Sequence, residues 1–289
     1  FIPEVDRKLA AGGKYKVEWT KAYGGTLVKL GSESKGIADG VADLGVVSTL
    51  FEAAKFPLQN VSYYTPFGTD NIELMSQTVA DLQRSIPAMA DAWNKNGLTY
   101  LGGMALDSYH IWTKFPITKI EDLNGKKISA PGPAANWIRG TGAVGVAGSL
   151  NSYYEDIKSG VSNGAITFST GAWGAKLHEV QKYMTLTNHQ YNPQSVVISK
   201  KFWDTLSADE KKIIGDAVAE STKFQRAQAR GLVASALDNM KKNGMQVTTL
   251  PAAEVAILRD KMKPVIAKHG EPIAATVAEL QAELAKLRK

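Results

Sequence analysis

Between residues 70 and 97 the chain reads "DNIELMSQTVADLQRSIPAMADAWNKNG", with apolar side chains three or four positions apart and a glycine at its close. That spacing predicts one long helix, interrupted near Pro87 because proline cannot donate the backbone bond a helix interior needs. A second long helix is predicted from Ser207, with Glu210 in capping-box spacing, as far as Gly244. Strict alternation in "KYKVEWTKA", residues 14–22, predicts a strand, and "LVKLGSESKGIADG", residues 27–40, predicts a helix after a Gly-Gly turn. With "ADLGVVST" as a buried strand, this reads as a βαβ unit, which implies a parallel strand pair.

The pattern restarts after "LTYLGGMAL". Strand "KKISAP", helix "AANWIRG", strand "VGVAG", helix "LNSYYEDIKSG", strand "GAITFS", helix "GAWGAKLHEVQKY" and strand "SVVISK" follow in turn. After the long helix come strand "MQVTTLP" and two closing helices. A chain of 289 residues with this alternation is expected to form two α/β lobes. The helix from Ser207 is longer than one such lobe would bury, so it is expected to span both.

Composition narrows the class only a little. Apolar residues make up 44% and charged residues 21%, with no cysteine and a net charge of +6. The positive charges alternate with acids, as in "DEKKIIGDAVAESTKFQRAQAR", and no face interleaves aromatic and basic residues, which argues against nucleic acid as a partner. No apolar run approaches the roughly 20 residues that span a bilayer.

Catalytic motifs are weak. Gly140, Gly142 and Gly145 match a dinucleotide fingerprint in spacing but follow a helix and precede a strand, the reverse of what that fingerprint needs. Ser32 and Lys35 fit S-x-x-K without the partner motifs of that enzyme class. After His178 and Glu179 the next helical turn offers Lys182 and no second imidazole, and His110, His189 and His269 stand alone. Neither an enzyme, a metal nor a cofactor is expected.

Six stretches then carry a resemblance. "AYGGTL", "GIADGVADLGVVST", "WTKFPITKIEDLNGKKISAPG", "YYEDIKSGVSNGAITF", "AKLHEVQKYMTLTNH" and "ISKKFWDTLSADEKKIIGDAVAE" run in the order found in the periplasmic solute receptors of TRAP transporters, the DctP type. The chain resembles that family from about residue 15 to residue 220. The resemblance implies a two-lobe periplasmic-binding-protein-like fold of α/β class, with crossing strands and a long lobe-spanning helix. Lobe I is expected from residues 1–106 plus 192–232, and lobe II from residues 107–191 plus 233–289. The family has one more strand before its first helix, so a strand preceding Phe1 is expected.

By the same resemblance, the chain is a periplasmic, monomeric receptor that closes by a hinge motion on a small organic acid, an aromatic acid included. It delivers the solute to TRAP-type membrane subunits without making or breaking a bond. Two family positions that usually hold arginines clamping a ligand carboxylate are Ser129 and Ser108 here, which puts that clamp in doubt because a hydroxyl cannot replace a charged fork. The charge is then expected on Arg139 or Lys114, or the carboxylate is held by hydroxyls and backbone N–H groups. Ser169 and Thr170 are the expected polar contacts, and Tyr63, Tyr64, Phe67, Phe168 and Trp173 the expected aromatic wall, with core packing as the bland alternative for each. A neutral or cationic polar solute, which Asp107 would suit, an enzyme on a two-lobe scaffold and a sensory domain stay open.

Overall fold

The computed structural model describes residues 1–13, 16–69, 71–189 and 191–287. The chain divides into two compact units, Phe1–Gln59 with Ser76–Ala105 and Pro193–Gln228, and Asn60–Met75 with Leu106–Asn192 and Ala229–Lys289. Residues 60–75 thus group with the second unit, whereas the sequence assigns everything up to residue 106 to the first lobe. Lys14, Tyr15 and Asp70, placed by the pattern in the first strand and at the head of the long helix, lie outside the described residues, as does the side chain of His269.

The first unit opens with α1 (Ile2–Gly12), ended by Gly13 in the left-handed region, whose N–H donates to the Leu9 carbonyl. Residues 16–22 form no strand. Alternation makes a strand possible, but a strand is held by a neighbour's ladder, and the segment instead rests Trp19 edge-on against Phe1 at 5.8 Å and donates its indole N–H to Asp6. The helix α2 covers only Glu33–Ala38, because Gly31 at φ 82° turns the chain just before it. Among the described residues β1 (Leu44–Val47) has no parallel partner, which corrects the βαβ expectation: the sheet order is β1-β8-β2, antiparallel throughout.

Pro87 acts as expected. α3 (Ile72–Ser85), whose first N–H groups bond the Asn71 side chain, stops before Ile86, and α4 (Pro87–Lys95) restarts with proline in its first turn, where no N–H is required. β2 (Leu98–Ala105) follows. Phe56 and Trp93, with ring centroids 4.3 Å apart, anchor a core with Ile37, Val47, Leu98 and Val197.

The second unit is built on a six-stranded mixed sheet of order β5-β4-β6-β3-β7-β9. Its strands are β3 (Tyr109–Thr113), β4 (Lys127–Ala130), β5 (Val144–Ala147), β6 (Gly164–Phe168), β7 (Tyr183–Leu186) and, late in the chain, β9 (Gln246–Thr249). β3 and β7 were not legible in the sequence. Every residue of β3 is buried, so no polar alternation marks it. α5 (Leu150–Lys158) and the short α6 (Ser169–Gly174) lie between strands, and Trp112, Tyr153, Ile157, Ala165, Met184 and Met240 share one core. The segment "AANWIRG" is a 3-10 turn, Gly132–Ile138.

β8 (Pro193–Ser199) returns to the first unit, followed by α7 (Lys200–Thr205) and α8 (Ala208–Lys242). The capping box forms as its spacing requires: the Ser207 N–H donates to Glu210 at 2.7 Å and the Glu210 N–H donates to the Ser207 hydroxyl at 3.3 Å. α8 gives residues to 228 to the first unit and those from 229 to the second. α9 (Ala252–Gly270) and α10 (Ala274–Leu287) complete the chain. Proline at the exposed position 219, inside α8, should cost about 3 kcal/mol or more, because it removes one helical bond and clashes with the preceding turn. Urea titration of Ala219→Pro checks this, and an unchanged midpoint would show that the helix is not continuous there in solution.

Candidate functional site

The parallel strands β4 and β6 end on the same side of the second unit's sheet as β3 begins. The last ladder pair there is Tyr109 with Phe168, so Ser108 and Ser169 stand just beyond it. Both serines are buried, and neither hydroxyl has a hydrogen-bond partner among the described residues. Beside them sits Asp107, 5% exposed, whose carboxylate accepts the Ser169 N–H at 2.7 Å, the Thr170 N–H at 3.2 Å and the Thr170 hydroxyl at 2.6 Å. Burial pushes the Asp107 carboxyl above its ordinary range, and those donated bonds work in the opposite direction.

Ser129 lies elsewhere along the sheet. Its ladder partners are Val146 on β5 and Ala165 on β6, four positions short of Ser169, which is about 13 Å along a strand. It shares a face with Ala165 and Trp112, members of the core with Tyr153 and Ile157, and its hydroxyl is wholly buried without a partner among the described residues. Arg139 is exposed, directly after the 3-10 turn, with no ion pair among the described residues; Lys114 is exposed as well. Trp173 is half-buried, and its ring stacks on His178 at 4.6 Å. Tyr64 and Phe67 are half-buried, and Tyr64 packs against Gly270.

The geometry adds residues that no sequence pattern announces. Trp137 is fully buried, stacked on Tyr63 at 5.4 Å and on His189 at 5.6 Å, with Tyr109 edge-on at 5.8 Å. Its indole N–H donates to the Tyr63 carbonyl at 3.2 Å. The column continues through Phe67, 5.6 Å from His189, to the Arg259 guanidinium, 4.8 Å from the Phe67 ring. Phe168 packs on Tyr109 at 5.5 Å, and the Tyr109 hydroxyl accepts from Asn192 at 3.1 Å. Burial raises the Tyr63 and Tyr109 phenols well above their ordinary range, so both stay neutral. Local spacing carries no signal of this column, because its rings come from segments far apart in the chain.

Two histidines are held neutral. His110 Nδ1 accepts the Thr187 and Asn188 N–H groups, both at 3.2 Å, and burial pushes its pKa down to about 3. His189, paired through Nδ1 with the Thr187 hydroxyl at 2.6 Å, is likewise pushed down to about 3, first by burial and then by His110. In the second unit, among the described residues, Asp107 is the buried carboxylate and no Lys or Arg is buried. No cluster of three or more His, Cys, Asp or Glu side chains among the described residues could hold a metal ion.

The family model for bacterial extracellular solute-binding proteins, family 7 (DctP), matches residues 8–272. The chain belongs to that family. Among DctP-type relatives, it is 31% identical over 175 residues to the C4-dicarboxylate-binding periplasmic protein DctP of Rhodobacter capsulatus, covering 59% of this chain and 53% of the relative. It is 27% identical over 194 residues to the sialic acid-binding periplasmic protein SiaP of Vibrio cholerae, covering 61% of this chain and 57% of that one. The chain spans about half the length of the curated relatives it matches. A TRAP periplasmic solute-binding protein from Ochrobactrum anthropi superposes with a TM-score of 0.83 at 33% identity, over 99% of this chain and 90% of that one. In fold, the two-lobed α/β DctP architecture expected from the sequence is the one observed. No helix among the described residues is long and apolar enough to cross a membrane.

Proposed function

We propose that this chain is an extracytoplasmic receptor that binds one small organic acid and passes it, chemically unchanged, to a TRAP-type membrane transporter. The observation that carries the reading is the polar set beyond the Tyr109–Phe168 pair: Ser108 and Ser169 hydroxyls lacking partners among the described residues, beside the Asp107-capped start of α6 and under two aromatic rings. Ligands of α/β sheets bind at the carboxyl ends of parallel strands, which is where this set lies. The Rhodobacter and Vibrio relatives, named for C4-dicarboxylate and for sialic acid, favour an acid as the solute and the periplasm as the place of work. The receptor acts as a monomer and turns nothing over.

Ser129 pairs with Ala165, about 13 Å along the strand direction from Ser169, and faces the core, so it lies away from the Ser108 and Ser169 set. Ser108 and Ser169 are therefore its direct contacts, with Thr170 and Phe168 beside them. Tyr64, Phe67 and Trp173 complete the apolar wall, and Arg139 stays in solvent. A second reading, a neutral or cationic polar solute, is favoured by the buried Asp107 and by the lack of any buried Lys or Arg among the described residues of this unit.

A thermal-shift series of organic acids, amines and sugars separates the two readings. A bound solute at about 100 times its dissociation constant adds roughly 2.7 kcal/mol of stability. With that solute, calorimetry on Ser169→Ala should show binding weaker by roughly 0.5 to 1.5 kcal/mol, while Ser129→Ala and Arg139→Ala bind as the parent does. A large loss in Arg139→Ala would place the acid's charge there instead, and recovery of a chemically altered solute at catalytic turnover would overturn the receptor reading.

A further inference from the structure

The opposite end of the second unit's sheet carries a row of lysines that the solute reading does not use. At that end β4 begins, β6 begins, β3 ends and β7 begins, and the residues just outside are Lys126, Asn163, Lys114 and Lys182. Asn163 draws the row together: its N–H donates to the Lys127 carbonyl at 2.7 Å, its carbonyl accepts the Lys114 N–H at 3.0 Å, and its Oδ1 accepts the Lys127 N–H at 2.9 Å. Lys158 closes α5 just before the same turn.

Lys114, Lys127, Lys158 and Lys182 are exposed, and none of them has a carboxylate partner among the described residues. The acids near them in sequence, Glu121, Asp122, Glu155, Asp156 and Glu179, make no ion pair with them among the described residues; Asp122 accepts from the Thr118 and Lys119 N–H groups, and Glu179 accepts from the Tyr154 hydroxyl. Neighbouring strands lie about 4.8 Å apart, so Lys114 at the end of β3 stands about 5 Å from Lys182 at the start of β7 and about 10 Å from Lys127 on β4, close enough for the fields of neighbouring charges to add at moderate ionic strength. In the turn between Lys158 and Asn163, Val161 is 50% exposed.

We propose that this rim is an interaction surface for anionic phospholipid headgroups. Lysine ammoniums on flexible stems, with no arginine fork among them, suit a diffuse sheet of phosphates better than a fixed set of carboxylates on one protein partner. The exposed apolar Val161 in the adjoining turn suits the headgroup boundary. The surface is independent of the solute's identity, so the chain binds such a membrane loaded or empty.

Co-sedimentation with vesicles of phosphatidylcholine containing phosphatidylglycerol tests this, against vesicles of phosphatidylcholine alone. Retention should require the anionic lipid and fall with added salt. Each lysine near the surface is worth about 1 kcal/mol, roughly a fivefold change, so Lys114→Gln with Lys127→Gln should weaken binding about 25-fold. The control Lys21→Gln with Lys29→Gln, exposed lysines of the first unit, should leave it unchanged. Because the rim side chains are exposed, melting temperatures should match the parent. Equal retention on neutral vesicles, equal loss in the control, or binding only when vesicles carry the transporter's protein subunits would each overturn the proposal.

Discussion

Lowering the pH from 7 to 4.5 should destabilise the second unit by roughly 2 to 3 kcal/mol for each of His110 and His189. The sign follows from the direction of the shift. An unfolded histidine titrates near 6.5, whereas these two titrate at about 3 in the fold, so below pH 6.5 the unfolded chain takes up protons that the folded chain refuses. The stability is fully present above the unfolded value and drains away as pH falls toward 3. Burial is the main cause for both rings, and bonding explains why His110 cannot adapt: its Nδ1 lone pair already accepts two backbone N–H groups, and a proton there would leave both N–H groups unpaired inside the unit. Asp107, raised by burial, works the other way, its contribution being lost as pH rises through its folded value. Urea midpoints at pH 7 and 4.5 measure the net effect. His189→Phe keeps a ring in the aromatic column and should remove about half of the acid loss; a midpoint indifferent to pH over this range would mean that the folded protein protonates both rings freely.

Replacing Trp137 by alanine should cost about 3 to 5 kcal/mol, the usual range for emptying a buried tryptophan site. The ring is fully buried and touches Tyr63, Tyr109 and His189, so no one neighbour can move in without leaving the others. The substitution also strips the Tyr63 carbonyl of its indole donor. Trp137→Phe keeps most of the stacking area and loses that bond, and should cost much less than alanine. If Trp137→Ala melts like the parent, the column is not packed in solution as it is here. The two experiments are linked, because an emptied Trp137 site admits water beside His189: in Trp137→Ala the acid loss should shrink along with the overall stability.

Helix ends with local signals were legible because their determinants lie within one turn, whereas "AANWIRG" is a 3-10 turn and "GAWGAKLHEVQKY", read as one helix, divides into α6, a 3-10 turn at Leu177–Glu179 and the start of β7. The Ser207–Glu210 box, Pro87 with Ile86 before it, and Gly13 after α1 each act on neighbours three or four residues away, and each appears in the structure as the pattern required. The family was legible for a different reason: short stretches spread from about residue 15 to residue 220 kept their order, and the matched region extends over residues 8–272. What failed was pairing. "KVEWTKA" alternates as a strand should yet has no ladder, β1 runs antiparallel to β8 where a parallel partner was expected, and β3 was invisible because burial on both faces erases the alternation that marks a strand.

The candidate site divides along the same line. Ser169 and Thr170 could be named from the sequence as the end of a strand, and Ser108 by resemblance to a family position that usually holds arginine. That Asp107 is spent capping α6, that Ser129 lies about 13 Å short of Ser169 on the core face, and that Trp137, His189 and Tyr63 form one column could not be named. The sequence by itself determined the locally capped helix ends, the class to which this protein belongs and the absence of arginine at positions 108 and 129. Only the tertiary structure decided which buried groups are neutral, which hydroxyls lack partners and which rings touch, because those properties depend on desolvation and on packing between residues tens of positions apart, and no short-range pattern encodes either.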